Sequence, residues 1–113
     1  MPPEDVRAFL EGRLVHAFDP QTRARVAQVF YGPDGTCRLR FADGTEDEGD
    51  YGFEGELYWT RYRGFRDGAL NRFRLQPLAP GLAQAWFTDG ARAFLQAHGD
   101  DLGAYPAFQA PRP

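Results

Sequence analysis

The chain of 113 residues contains no serine, no lysine and no isoleucine, and all thirteen of its basic residues are arginine. Such a bias fits codons rich in G and C, but its chemical consequence holds whatever the cause. A serine nucleophile, a Schiff-base lysine and a phosphate-loop lysine are excluded. One cysteine, Cys37, excludes an internal disulfide. Two histidines, His16 and His98, with Cys37 and the carboxylates, are what is left of the usual nucleophiles and bases. A metal needs three or four ligands held together, and this set is too thin to suggest one. No apolar run approaches 18 residues, so no membrane-spanning helix is expected. A net charge of -3 gives no support for nucleic-acid binding. The acidic start, Met1-Pro2-Pro3-Glu4-Asp5, lacks the order of a signal peptide, and cytoplasmic residence is the expectation. No cofactor is indicated.

What the chain has in quantity is glycine and aromatic side chains, with 13 Gly and an aromatic fraction of 15%. Four Asp-Gly dipeptides, Asp34-Gly35, Asp43-Gly44, Asp67-Gly68 and Asp89-Gly90, punctuate runs of Val, Leu, Phe, Tyr, Trp and Arg. Asp-Gly suits tight turns in which two successive residues take positive φ. The expected fold is therefore mainly β: an antiparallel meander of seven to eight short strands, forming a small barrel or a strongly curled sheet. Residues 1–103 form one domain, and 104–113, rich in Pro and Ala, read as a poorly ordered tail.

A short helix is expected over 3–11, with proline at its start, Glu4 and Asp5 in its first turn, and Gly12 to stop it. Val6, Phe9 and Leu10 share one face, which must dock on the sheet or plug one end of it. Strands follow at about 13–18, 25–31, 36–41, 45–53, 56–63, 70–76 and 82–88. In the third, Cys37, Leu39 and Phe41 alternate with Thr36, Arg38 and Arg40, which makes Cys37 a small core residue. In the fourth, Gly49 and Gly52 suggest a bulge or bend. Over 91–98, Ala91, Phe94, Leu95 and His98 fall at i, i+3, i+4 and i+7, which favours a C-terminal helix over a strand that would close the barrel.

Two hairpins can be registered from their loops. Around Ala42-Asp43-Gly44, Arg40 faces Glu46 and Arg38 faces Glu48, a charged ladder on the solvent face. Glu46, Asp47, Glu48 and Asp50 lack the spacing of a calcium loop. Around Gly64–Gly68, Trp59 opposite Phe73 and Leu57 opposite Leu75 form the core, with Arg61 opposite Asn71 near the rim. Tyr58, Thr60, Tyr62, Arg72 and Arg74 are then outside. A two-residue turn at Glu54-Gly55 would instead pair Tyr51 with Tyr58 and turn that face inward, since one residue of slip flips every side chain. The first register is preferred because it buries the indole and exposes the arginines. A buried guanidinium in either register requires a carboxylate or an anion, unless Arg61 reaches past the rim.

The layout of short helix, Gly12-Arg13-Leu14 entering the first strand and an Asp-Gly-punctuated meander resembles the lipocalin, or calycin, superfamily, and in particular small bacterial lipocalin-like proteins of no assigned function. Leu14 stands where calycins carry the Trp of Gly-X-Trp, and Arg92 matches the arginine that packs over it. The resemblance implies a barrel whose mouth holds a small apolar or amphipathic ligand; the alternative is an interior filled by its own bulky side chains, Trp59, Phe73 and Tyr51. On the first reading the protein is a non-enzymatic binder of a small apolar or anionic ligand in the barrel mouth, with Tyr51, Trp59 and Phe73 as the apolar wall of the site and Arg61 with Asn71 as its polar handle. The alternative is an interaction module or homodimer using Tyr58, Tyr62, Arg72 and Arg74 as an exposed patch.

Overall fold

A computed structural model describes residues 1–108. Its order is one helix, α1 (Pro3–Leu10), then eight strands, β1 (Leu14–Phe18), β2 (Arg25–Tyr31), β3 (Thr36–Phe41), β4 (Glu46–Glu54), β5 (Leu57–Tyr62), β6 (Leu70–Ala79), β7 (Leu82–Phe87) and β8 (Arg92–Ala97). Short 3-10 turns lie at Phe65–Gly68, Leu102–Ala104 and Pro106–Phe108. Each strand pairs antiparallel with the next, and β8 returns to β1 through His16↔Ala97 and Phe18↔Leu95, so the sheet is a closed barrel. No described helix is long and apolar enough to cross a membrane.

Residues 92–97 thus form the closing strand and not the expected helix. The helical spacing of Ala91, Phe94, Leu95 and His98 coexists with a period of two in Ala93, Leu95 and Ala97, all buried. Pairing on both sides, to β7 and β1, decides between the two periods.

The turns also correct their expected type. At Asp34-Gly35, Asp43-Gly44 and Asp89-Gly90 only the glycine has positive φ. In each, the aspartate side chain accepts the N–H two residues on, from Thr36, Thr45 and Ala91. The glycine N–H closes a four-residue turn, as in Gly44 to the Phe41 carbonyl at 2.9 Å. These are ordinary turns ended by a left-handed glycine, and not two-residue mirror-image turns. Asp67-Gly68 does carry two positive φ values, and Arg66 before it adds a third.

Strand β3 meets β4 in the expected register, Arg38↔Glu48 and Arg40↔Glu46. The close ion pair of Glu48, however, is with Arg63 of the next hairpin at 2.9 Å. Asp47, on the other face, accepts the backbone N–H of Gly64 (3.1 Å) and Phe65 (2.8 Å), tying the β5–β6 loop to β4.

That loop overturns the expected β5 register. The ladder runs Tyr58↔Phe73, Trp59↔Arg72, Thr60↔Asn71 and Arg61↔Leu70, one residue out of step. Tyr58, Thr60 and Tyr62 consequently point inward beside Asn71, Phe73 and Leu75, whereas Trp59 and Arg61 lie outside. The physical cause is the left-handed backbone of Arg66 and Asp67, which winds the loop into a compact 3-10 turn. The expectations for Arg72 and Arg74 hold in part: both are on the outer face, where Arg72 pairs with Glu54 at 3.1 Å.

Helix α1 closes one end of the barrel. Val6, Phe9 and Leu10 are buried in the same cluster as the interior side chains. His98 sits against this plug, its Nε2 2.8 Å from the Phe9 carbonyl and its ring 4.4 Å from the Phe9 ring. A second cluster lies outside the barrel wall, where Leu102, Tyr105 and Phe108 cover Phe18, Leu82, Leu95 and Ala97. The Tyr105 hydroxyl receives the Gly99 N–H and donates to the Gly81 carbonyl. The described part of the expected tail is therefore docked on the wall; residues 109–113 lie outside the described residues.

Candidate functional site

The end of the barrel opposite α1 carries the loops between β1 and β2, β3 and β4, β5 and β6, and β7 and β8. Beneath them the interior is not completely filled. A cavity of about 250 Å³ runs between β2, β3, β5, β6 and β8. Its walls come from alternate residues of these strands, because only every second side chain points in. Val29 and Leu39 form one side, and Phe73 and Phe94 the other. Small side chains at Ala17 and Ala27 leave the space open where larger ones would fill it.

Strand β5 supplies the polar part. Tyr58 is almost wholly buried, its ring stacked on Phe73 at 5.1 Å and edge-on to Tyr31 at 6.3 Å. Its hydroxyl hydrogen-bonds the Gln96 side-chain amide. Gln96 is itself only 5% exposed, and its Oε1 has no hydrogen-bond partner. An unpaired buried amide oxygen costs on the order of 1–3 kcal/mol. The Asn71 amide nitrogen, by contrast, is used, donating to the Thr60 and Ala69 carbonyls. The Tyr62 phenol lies beside the Cys37 thiol, across Gly49, which has no side chain to separate them.

The interior is electrically neutral. Burial pushes the phenols of Tyr31, Tyr58 and Tyr62 well above the ordinary tyrosine range. It also lifts the Cys37 thiol to about 11, so the sulfur is a protonated core group. Among the cavity-lining residues the one charged side chain is Arg66, at the mouth, its guanidinium over the Phe87 ring at 5.2 Å. Phe65 from the same loop packs on Phe41 and Tyr62, forming an aromatic collar.

The residues expected to form the site are divided by this geometry. Phe73 and Asn71 line the cavity. Tyr51 points inward but sits near α1, its hydroxyl donating to the Gly32 carbonyl at 2.7 Å, and it does not line the cavity. Trp59 and Arg61 are outside; Arg61 Nε donates to the Gly68 carbonyl at 3.3 Å. The guanidinium thus needs no interior partner. Tyr58 and Tyr62, expected on an exposed patch with Arg72 and Arg74, are cavity walls instead. Leu14 and Arg92 stand at opposite ends of adjacent strands, and Arg92 lies across from Trp86. Gln96 and Arg66 were not foreseen. The first lies in the segment read as a helix, and nothing in the sequence marks Arg66 as left-handed.

Among the described residues, no three His, Cys, Asp or Glu side chains gather where they could hold a metal. The geometry defines a small, helix-plugged, closed antiparallel β-barrel with an aromatic interior cavity. Compared with protein-family models, curated proteins and solved structures, the chain has no match.

Proposed function

We propose that this protein is a lipocalin-like binder that holds one small, mainly apolar molecule inside its barrel. The single observation that carries this reading is the interior space of about 250 Å³ walled by aromatic and aliphatic side chains. An apolar cavity of about 150 Å³ already takes a benzene ring, so the space here suits a molecule of one or two rings. The helix plug at one end and the looped mouth at the other support the likeness to calycins, as does the unbroken eight-strand meander.

Carriage rather than catalysis is supported by the protonation of the interior. Phenols and a thiol held firmly neutral by burial are poor proton acceptors at neutral pH. A cytoplasmic setting is part of this proposal, and the single, buried, protonated Cys37 is compatible with it.

Calorimetry with naphthalene tests the reading. One-to-one binding is expected, and Ala27→Leu, which fills part of the cavity, is expected to weaken it. An absence of binding, or binding indifferent to Ala27→Leu, would overturn the proposal.

A further inference from the structure

We infer that the bound molecule carries a neutral hydroxyl at its inner end, placed against Gln96 and Tyr58, so that the ligand is of the phenol or aromatic-alcohol class. This inference rests on the binding reading above and specifies its chemistry.

Three observations converge on it. The first is the unpaired amide atom. Gln96 is 5% exposed, faces the cavity, and uses one amide atom on the Tyr58 hydroxyl while Oε1 is left without a partner. Turning the amide over would let Tyr58 donate to Oε1, and the NH₂ would then be the unpaired atom. A ligand hydroxyl complements either arrangement, because it both donates and accepts. An ether or ketone could meet only an unpaired NH₂, and a hydrocarbon neither.

The second observation is the absence of compensating charge beside Gln96. Tyr58 is the hydrogen-bond partner of Gln96, Tyr31 and Thr60 line the same cavity without charge, and Arg66 is exposed at the mouth. A carboxylate placed at Gln96 would be desolvated with no cation to meet it, at a cost of several kcal/mol. A hydroxyl brings no such cost. The third is the shape of the surroundings: Tyr58 and Phe73 stack, Tyr31 stands edge-on, and Phe94 completes an aromatic lining. Offset and edge-on contacts of this kind favour a planar ring.

The test compares three probes of one skeleton on the full chain: naphthalene, 2-naphthol and 2-naphthoate, by calorimetry at pH 7. The expected order has 2-naphthol about tenfold tighter than naphthalene, the gain of one buried hydrogen bond to an otherwise unpaired group. 2-Naphthoate is expected to bind at least about tenfold more weakly than 2-naphthol. Gln96→Leu is expected to remove the advantage of 2-naphthol while naphthalene still binds, which also shows that the variant is folded. Should Gln96→Leu fail to fold, Tyr58→Phe and the wild-type probe order still decide.

If no probe binds, the binding reading itself fails. If naphthalene binds and 2-naphthol is no tighter, the assignment of the inner end is overturned and the cavity stands. Tightest binding by 2-naphthoate would overturn it too, and would point to Arg66 as the recognition group. An advantage of 2-naphthol that survives in Gln96→Leu would likewise overturn the assignment.

Discussion

Trp59 lies directly across the β4–β5 ladder from Gly52, on the outer face of the barrel, with its indole laid over the bare Cα. A Cβ added at Gly52 would come within 2.7 to 2.8 Å of Nε1, Cε2 and Cζ2 of the ring. The glycine is thus a seat for the indole, and the indole covers backbone that the glycine would leave bare. Gly52→Ala is expected to lift the ring off the sheet and to cost about 1–3 kcal/mol. In a Trp86→Phe background, where Trp59 is the remaining indole, fluorescence should shift to the red. An unshifted spectrum would mean that the indole does not rest on Gly52.

Asp47 anchors the loop that overhangs the cavity mouth. The Phe65 N–H that it accepts holds its carboxyl below the usual value of 3.8, with the Gly64 N–H adding to the effect. A carboxyl with a lowered folded-state pKa contributes stability that is complete above the unfolded value. That contribution is lost as pH falls below 3.8 through the folded value. Asp47→Ala should therefore destabilise the wild type by about 1 kcal/mol at pH 6 and by progressively less below pH 3.8. Urea midpoints of the two proteins should converge in acid; a constant gap would contradict the role given to the carboxylate.

His16 produces a second pH effect at higher pH. Its ring is buried on the outer wall, and its Nδ1 has no hydrogen-bond partner. Burial lowers its pKa below 6.5, Arg25 pushes the same way, and Asp100 opposes them. The unfolded chain then binds more protons just below 6.5, so stability falls as pH drops through that value and levels off below the folded pKa. The urea midpoint should be lower at pH 5.5 than at pH 7.5 in the wild type. In His16→Gln the difference should shrink. An equal slope in both proteins would assign the effect to other groups.

The segment beyond β8 is expected to be part of the stability of the barrel rather than an appendage. Leu102 is 5% exposed and packs with Phe18, Leu82, Leu95 and Ala97. Leu102→Ala should cost about 2–4 kcal/mol in thermal or urea unfolding. Tyr105→Phe, which loses a hydroxyl bonded to Gly99 and Gly81, should cost about 1 kcal/mol. Values near zero for both would mean that the segment does not dock.

The sheet was legible because its punctuation is local. An aspartate before a left-handed glycine closes a turn through its own side chain, and the alternation of Cys37, Leu39 and Phe41 needs no knowledge of the neighbouring strands. Tertiary decisions were not legible. Whether Trp59 or Tyr58 faces inward depends on one residue of loop, and the compact turn comes from Arg66 and Asp67 at φ 55°. The preference for burying an indole pointed the wrong way. Gly52 offered the ring a seat outside, and the phenols of Tyr58 and Tyr62 found neighbours within. The candidate site was half visible for the same reason. Phe73 and Asn71 depend on the β6 alternation alone, whereas Gln96 required knowing that β8 closes the barrel.

Methyl-resolved NMR during a naphthalene titration tests the central claim most directly. Occupation of the barrel should shift the methyl signals of Val15, Val29 and Leu39, which line the cavity, and leave the exposed Leu14, Leu70 and Leu78 unmoved. Shifts confined to the exposed leucines, or none at all at saturating probe, would contradict an interior binding site.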